Sequence, residues 1–368
     1  MIGVLRNSLL VVAVATSPYI LLGVSLPLPG WQFDAPIADL AALGCLLLAP
    51  LAGRRAPAPA PVAWAALVLV GLAAALLGDA PREAVHVLIR KPIFLYLAWG
   101  VGVATAVALA PRGVLTAALG VACAGALAVT VGASFVRIAR GDALWFAAID
   151  HLTNNHKTIA LASVPLLGLY ASFRHRWGWT SIVAAVALAA SMSRTAWIAA
   201  GAGLAQVLRW RGRPLAAIPG LVPGLILGGA AAAVLAPTLA RSVAQLDAAR
   251  SRLLLDRRAL ELWWAHPLLG ASPGANTRFE ASIFPDYRVN GVDAHGVIQK
   301  LASEYGLLGL LAFAAATATI ALRVRARAHP GAWAAFVAAH VSLLFSTEVY
   351  SQTHWVVIAV CWGLAARR

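Results

Sequence analysis

The chain has 368 residues, of which 61% are apolar and only 12% charged, where an ordinary soluble domain carries about a quarter charged residues. With 31 Gly, 13 Trp and a mean hydropathy of +0.80, the apolar surplus exceeds what one interior can hide, which excludes a water-soluble domain and makes a lipid bilayer the matching solvent. The 29 basic residues against 14 acidic ones, a net charge of +15, are spread between long apolar runs, which excludes a nucleic-acid binder and favours an anionic membrane partner.

A spanning helix needs about 20 apolar residues. In chain order the apolar runs predict spans at 8–26, 35–52, 60–78, 92–110, 113–133, 157–173, 177–192, 195–209, 214–236, 297–322, 331–348 and 353–366. The expected fold is all-α: a polytopic membrane protein of about twelve helices forming one membrane domain over 1–368. Arg6 precedes an apolar stretch with no small-x-small cleavage site before Trp31, so a retained first helix is expected rather than a signal peptide. Cys45, Cys123 and Cys361 each lie inside an apolar run, which fits small core residues and neither a disulfide framework nor a zinc site.

Charge sets the orientation. Alternate connections hold Arg54 and Arg55, Arg112, Arg174 and Arg176, Arg209 to Arg213, and Arg323 to Arg327, and the chain closes on Arg367 and Arg368. These loops contain arginine and no acid, the pattern of short cytoplasmic loops. On the other side fall Asp79 to Lys91, Ser134 to Lys157, and a loop of about 60 residues over 237–296, expected to be periplasmic, partly helical and inserted between the ninth and tenth spans. A loop that long is uncommon unless it has a function.

Arg194, in Ser193-Arg194-Thr195-Ala196, sits between two apolar runs with almost no loop between them. It is either an arginine snorkelling to the headgroups or a fixed cation for a lipid phosphate, whose oxygens match the planar guanidinium. From Arg241 to Ala265 the chain lacks Gly and Pro, which predicts a helix. Steps of 100° gather Asp247, Arg250, Arg257, Arg258 and Glu261 on one face and leave Arg252 opposite, among Ala248, Leu255, Ala259 and Trp263. Arg252 is then either an ion-pair partner of Asp256 or an arginine turned over a substrate cavity.

His295 stands where the long loop becomes a membrane helix, open to a structural role or to one as proton acceptor near neutral pH. Gln299 and Glu304 lie deeper on the same helix, where polar groups normally face an interior or a cavity. Lys157, Gln299, Glu304 and Glu348 are candidate cavity lining; Glu348, His340 and His354 are equally open to interhelical bonding. No acidic cluster, Asp-x-Asp pair, P-loop or GxGxxG is present, so neither a metal nor any other cofactor is expected.

His266-Pro267-Leu268-Leu269-Gly270 with Pro273-Gly274, then Asp293-Ala294-His295 and Glu304-x-Gly306-Leu307-Leu308-Gly309, together with Ser193-Arg194-Thr195-Ala196, resemble the module shared by O-antigen ligases and O-antigen polymerases. The likeness covers roughly 150–310; Gly296 stands where the family commonly has Asn. The resemblance implies a helical, GT-C-like membrane glycosyltransferase of the bacterial inner membrane with a periplasmic cavity. His295 would be the base, and Arg194 and Arg252 would hold the diphosphate. The activity expected from it is that of an O-antigen ligase: a polysaccharide moves from undecaprenyl diphosphate to a sugar hydroxyl of lipid A-core, without metal and with inversion. Its partners are then that donor, that acceptor and membrane lipids. A polymerase or protein O-oligosaccharyltransferase would use the same donor. A transporter is disfavoured, because transporters often show internal repeats and midplane sites while the polar residues here crowd one side.

Overall fold

The computed structural model describes residues 2–17, 23–28, 31–51, 62–78, 81–125, 169, 194–211, 244–276, 296–326, 330–344 and 352–367. Helix α1 spans Ile2–Thr16, and strands β1 (Gly23–Leu28) and β2 (Trp31–Pro36) pair antiparallel, with Gly23 opposite Pro36 and Leu28 opposite Trp31. Helices α2 (Ile37–Leu48) and α3 (Val62–Leu77) follow. Next comes one continuous helical run in which α4 (Pro81–Leu88) passes through two π-helical stretches, Ile89–Ile93 and Tyr96–Val103, into α5 (Ala104–Leu109). The remaining described helices are α6 (Arg112–Gly125), α7 (Arg194–Arg211), α8 (Ala244–Ala265), α9 (Val297–Ala326), α10 (Pro330–Leu343) and α11 (Gln352–Ala366).

The described residues are therefore mostly helical, with one hairpin and short irregular segments between helices, in agreement with the all-α expectation. Two boundaries differ from the sequence reading, each for a local reason. The expected first span, 8–26, stops as helix at Thr16, and the run beyond it, carrying Pro18, Gly23 and Pro27, enters β1; prolines and glycines weaken a helix by about 3 and 1 kcal/mol each. The expected outer segment from Asp79 to Lys91 is mostly helix, because Pro81 and Glu83 supply helix-start chemistry. Pro92 lacks an N–H and crowds the preceding turn of an α-helix; the chain takes the π form there.

Two of the described helices are long and apolar enough to cross a membrane, 82–109 and 297–325; α1, α2, α3, α6, α10 and α11 are shorter apolar helices. Expected spans at 157–173, 177–192 and 214–236 lie outside the described residues, save Leu169, as does most of 237–296 beyond α8 and the segment that follows it. Large apolar side chains such as Leu47, Leu69, Leu76, Leu311 and Leu322 point outward from these helices, as expected where the solvent is lipid.

Aromatic contacts tie the helices inward. Trp64 on α3 meets Phe313 of α9 edge-on at 5.8 Å and Trp355 of α11 at 4.7 Å between ring centroids. The indole of Trp99 donates to Asp39 of α2 at 2.8 Å. Arg367 donates to the carbonyls of Val107 and Ala110 at 2.7 and 3.0 Å, capping the C-terminal end of α5 with a cation.

Helix α9 is interrupted. Gly306 has φ 62° and ψ −163°, a region that glycine alone adopts without strain. There the segment 266–276 after α8, here called the elbow, docks into the break. The N–H of Leu307 donates to Pro267 O at 2.9 Å, that of Leu308 to Leu268 O at 3.2 Å, and that of Ala271 to Ser303 O at 2.7 Å. Gly270, at φ 75°, lies so close that a Cβ would overlap the backbone between Glu304 and Tyr305; a Cβ on Gly306 would overlap Leu268. Gly270, Ser272, Gly274 and Gly306 are the positive-φ residues among those described, and all four lie in this unit.

Gly306→Ala should destabilise the protein by about 3 kcal/mol or more, the sum of backbone strain and overlap. Gly201→Ala on α7, where a Cβ meets nothing within 4 Å, should be neutral or stabilise by up to about 1 kcal/mol. Thermal unfolding of the two variants in detergent measures the contrast; equal melting temperatures would show that the break tolerates a side chain.

Candidate functional site

The first turns of α9 are apolar in composition but hold buried polar groups at helical spacing: Lys300, Ser303 and Glu304. Ser303 is fixed from two sides. Its hydroxyl donates to Gln299 O at 2.8 Å, with Lys300 O at 3.1 Å, and it accepts from the side-chain amide of buried Asn276 at 2.6 Å. Asn276 closes the elbow, so this bond joins the last residue of the elbow to the same helix that Pro267 and Leu268 hold.

Glu304 is fully buried, and neither carboxyl oxygen has a hydrogen-bond partner among the described residues. An unsatisfied buried carboxyl group destabilises a fold, and such groups concentrate where function requires them. Gln299, one turn from the start of the helix, is half-buried, and its side-chain oxygen fills the volume that a Cβ on Gly296 would need. The Gln299 amide thus occupies the space that a side chain at position 296 would take.

Helix α8 forms as its composition predicts and turns Leu255 and Ala259 into the protein against α9. On the exposed side, Arg257 and Arg258 pair with Glu261 at 3.2 and 3.1 Å. Hydrogen bonding from Arg258, and then from Arg257, holds the Glu261 carboxyl below the usual carboxylate range. Position 252 precedes Leu255 and Ala259 by three and seven residues, on the buried face of the helix register. The side chain of Arg252 lies outside the described residues, and Asp256 carries no ion pair among them.

Arg194 is the first residue of α7. This helix packs on α10: a Cβ on Gly203 would stand 3.0 Å from Ala334 O and 3.2 Å from Ala338 Cβ, and Trp333 donates to Gln206 at 3.1 Å. Rising numbers on α7 meet falling numbers on α10, so the two run antiparallel. Nine residues from Gly203 to Arg194 cover about 13 Å of helix, which brings the Arg194 backbone level with the C-terminal end of α10. At that same end, Leu344 O lies 2.9 Å from where a Cβ on Gly296 would be. The start of α7 and the residue that follows His295 in the chain are thus at one end of the helix bundle.

His295, Lys157 and Glu348 lie outside the described residues, as does the side chain of Arg194. His340 and His354 face each other across α10 and α11, with ring centroids 5.1 Å apart. The Nδ1 of His340 is 2.8 Å from Phe336 O, and since a carbonyl only accepts, Nδ1 carries the proton. These contacts favour the interhelical role for the histidine pair. The sequence reading did not single out Ser303 and Asn276. The spacing of Lys300, Ser303 and Glu304 on one helix face was the available signal for Ser303; no sequence pattern marks Asn276, 27 residues away.

Comparison with known families matches residues 179–314 to the model of the family described as O-antigen ligase. No curated protein matches the chain. The matched stretch contains α7, α8, the elbow and the first half of α9, and so Arg194, Arg252, His295, Gln299 and Glu304; Lys157 and Glu348 fall outside it.

Replacing Glu304 by the apolar, similarly long methionine should leave stability unchanged or raise it by about 1–3 kcal/mol, because it removes buried acceptors without partners. Thermal unfolding measures this. A marked drop in melting temperature would mean that Glu304 is held by bonds that stabilise the fold.

Proposed function

We propose, from the match of residues 179–314 to the O-antigen ligase family model, that this chain is a membrane glycosyltransferase of the ligase type, acting on lipid-linked polysaccharide at the outer face of a bacterial inner membrane. The match supports O-antigen ligase/polymerase-type glycosyl transfer in general. The finer reading is transfer from undecaprenyl diphosphate to a sugar hydroxyl of lipid A-core. The observation that supports a shared site is at one end of the bundle: Gly296, the residue after His295 in the chain, lies against Leu344 at the C-terminal end of α10, and the start of α7, with Arg194, is level with that end.

In the proposed reaction His295 takes the proton of the acceptor hydroxyl as its oxygen attacks the anomeric carbon. The bond from that carbon to the diphosphate oxygen breaks, and its electron pair leaves with the lipid diphosphate. Displacement from the opposite side inverts the anomeric centre. Arg194 and Arg252 bind the leaving diphosphate through paired N–H donors, which stabilise charge as it develops. The donor is already activated, so no nucleotide is needed. In this reading no metal takes part, and the arginines supply the positive charge. Lys157, Gln299, Glu304 and Glu348 are proposed to line the cavity.

Reconstitution in proteoliposomes tests the reading. With lipid-linked polysaccharide as donor, lipid A-core should become glycosylated and a second lipid-linked unit should not; chain extension on the second unit instead would make the protein a polymerase. Transfer should persist in excess EDTA, and loss restored by Mg²⁺ would overturn the arginine mechanism. His295→Ala should lower turnover by about 10²- to 10⁴-fold while donor binding survives. Arg194→Lys and Arg252→Lys keep the charge but lose the two-pronged geometry, and should weaken both donor binding and turnover.

A further inference from the structure

We propose that the end of α8 and the elbow form a membrane-inserted anchor, with Trp264 and Leu268 seated among the acyl chains of the leaflet farther from Arg323 and Arg325. The inference rests on the reading of α9 as a membrane span and adds an interaction surface that the glycosyl-transfer reading does not require.

Helix α8 has three faces. Leu255 and Ala259 are buried against α9, and Arg257 and Glu261 form the polar face, the Arg257 side chain being 76% exposed. The third is an apolar stripe at spacing i, i+4, i+8: Leu260, Trp264 at 72% exposure and, past the end of the helix, Leu268 at 60%. A contiguous stripe of this kind beside a charged face is the pattern of a helix lying at a membrane interface, and tryptophan is enriched at that boundary.

The hydrogen bonds of the elbow fix its depth. Because Leu308 N–H donates to Leu268 O and Leu307 N–H to Pro267 O, Leu268 is level with Leu307 and Leu308, whose side chains are both exposed, as is that of Leu311 one turn on. The stripe therefore continues the outward apolar face of α9. That helix ends in Arg323 and Arg325. A hydrocarbon layer of about 30 Å corresponds to about 20 helical residues, which counted back from Arg323 reaches Ser303. Leu307, Leu308 and hence Leu268 fall within the layer.

Non-helical backbone at that depth is favoured when its polar groups are paired within the protein, and the three carbonyls at the tip of the elbow are paired. His266 O accepts from Gly270 N–H, Pro267 O from Leu307 N–H and the Trp263 indole, and Leu268 O from Leu308 N–H. Proline at 267 has no N–H to satisfy.

Nitroxide labels on single cysteines introduced at 268, 264, 311 and 257 of the full chain in proteoliposomes test the anchor; the three native cysteines are buried and escape labelling. Collisions with lipid-soluble oxygen and a water-soluble nickel complex report depth. Positions 268, 264 and 311 should favour oxygen several-fold over position 257. Oxygen preference at 311 combined with nickel preference at both 268 and 264 would overturn the anchor while keeping α9 in the membrane. Nickel preference at 311 as well would overturn the membrane reading of α9 and the anchor with it.

Discussion

The break in α9 at Gly306 is the constraint on which the site depends. A regular helix pairs its own N–H groups, which leaves none for a neighbouring segment; the positive φ at Gly306 turns two N–H groups and one carbonyl outward, and the elbow takes all three. The two glycine-containing motifs, His266 to Gly270 and Glu304 to Gly309, are therefore halves of one joint. Each half supplies backbone that the other needs, and each contains the glycine that permits close approach. In a lipid environment such a joint cannot fall back on water, which makes it specific as well as strong.

What the joint holds is the geometry around the end of the bundle. It fixes α8 against α9 with Leu255 and Ala259 turned into the protein, and it sets the depth of the polar turns bearing Gln299, Ser303 and Glu304. From the other side, α7 and α10 run antiparallel and bring position 194 to the end of α10 where Gly296 makes its close approach. The proposed chemistry needs a base and two cations about one diphosphate; the described contacts bring the start of α7 and Gly296 to the same end of the bundle.

Much of this was legible in the sequence because bilayer spans and helix-start chemistry are local. The Gly- and Pro-free stretch that becomes α8, the apolar runs that become α9, α10 and α11, and the outward polar face of Arg257, Arg258 and Glu261 follow from composition and period. The hairpin was not legible, because Val24 and Leu26 continue the apolar run of α1 and only the flanking prolines and glycines mark the change. The joint itself is non-local: the glycines at 270 and 306 could be read as turn and packing residues, but nothing in their spacing says that they meet. The unpartnered carboxyl of Glu304 was anticipated only as a polar group deep in a helix.

The joint predicts a pattern of amide exchange. In the full chain under native conditions, the segments 266–271 and 305–309 should exchange slowly, because the Ala271, Leu307 and Leu308 amides are bonded across the joint, and in Gly306→Ala both segments should gain exchange together. Slow exchange at 305–309 beside exchange at 266–271 as fast as in an exposed loop would mean that α9 is protected by lipid alone, and would contradict the account.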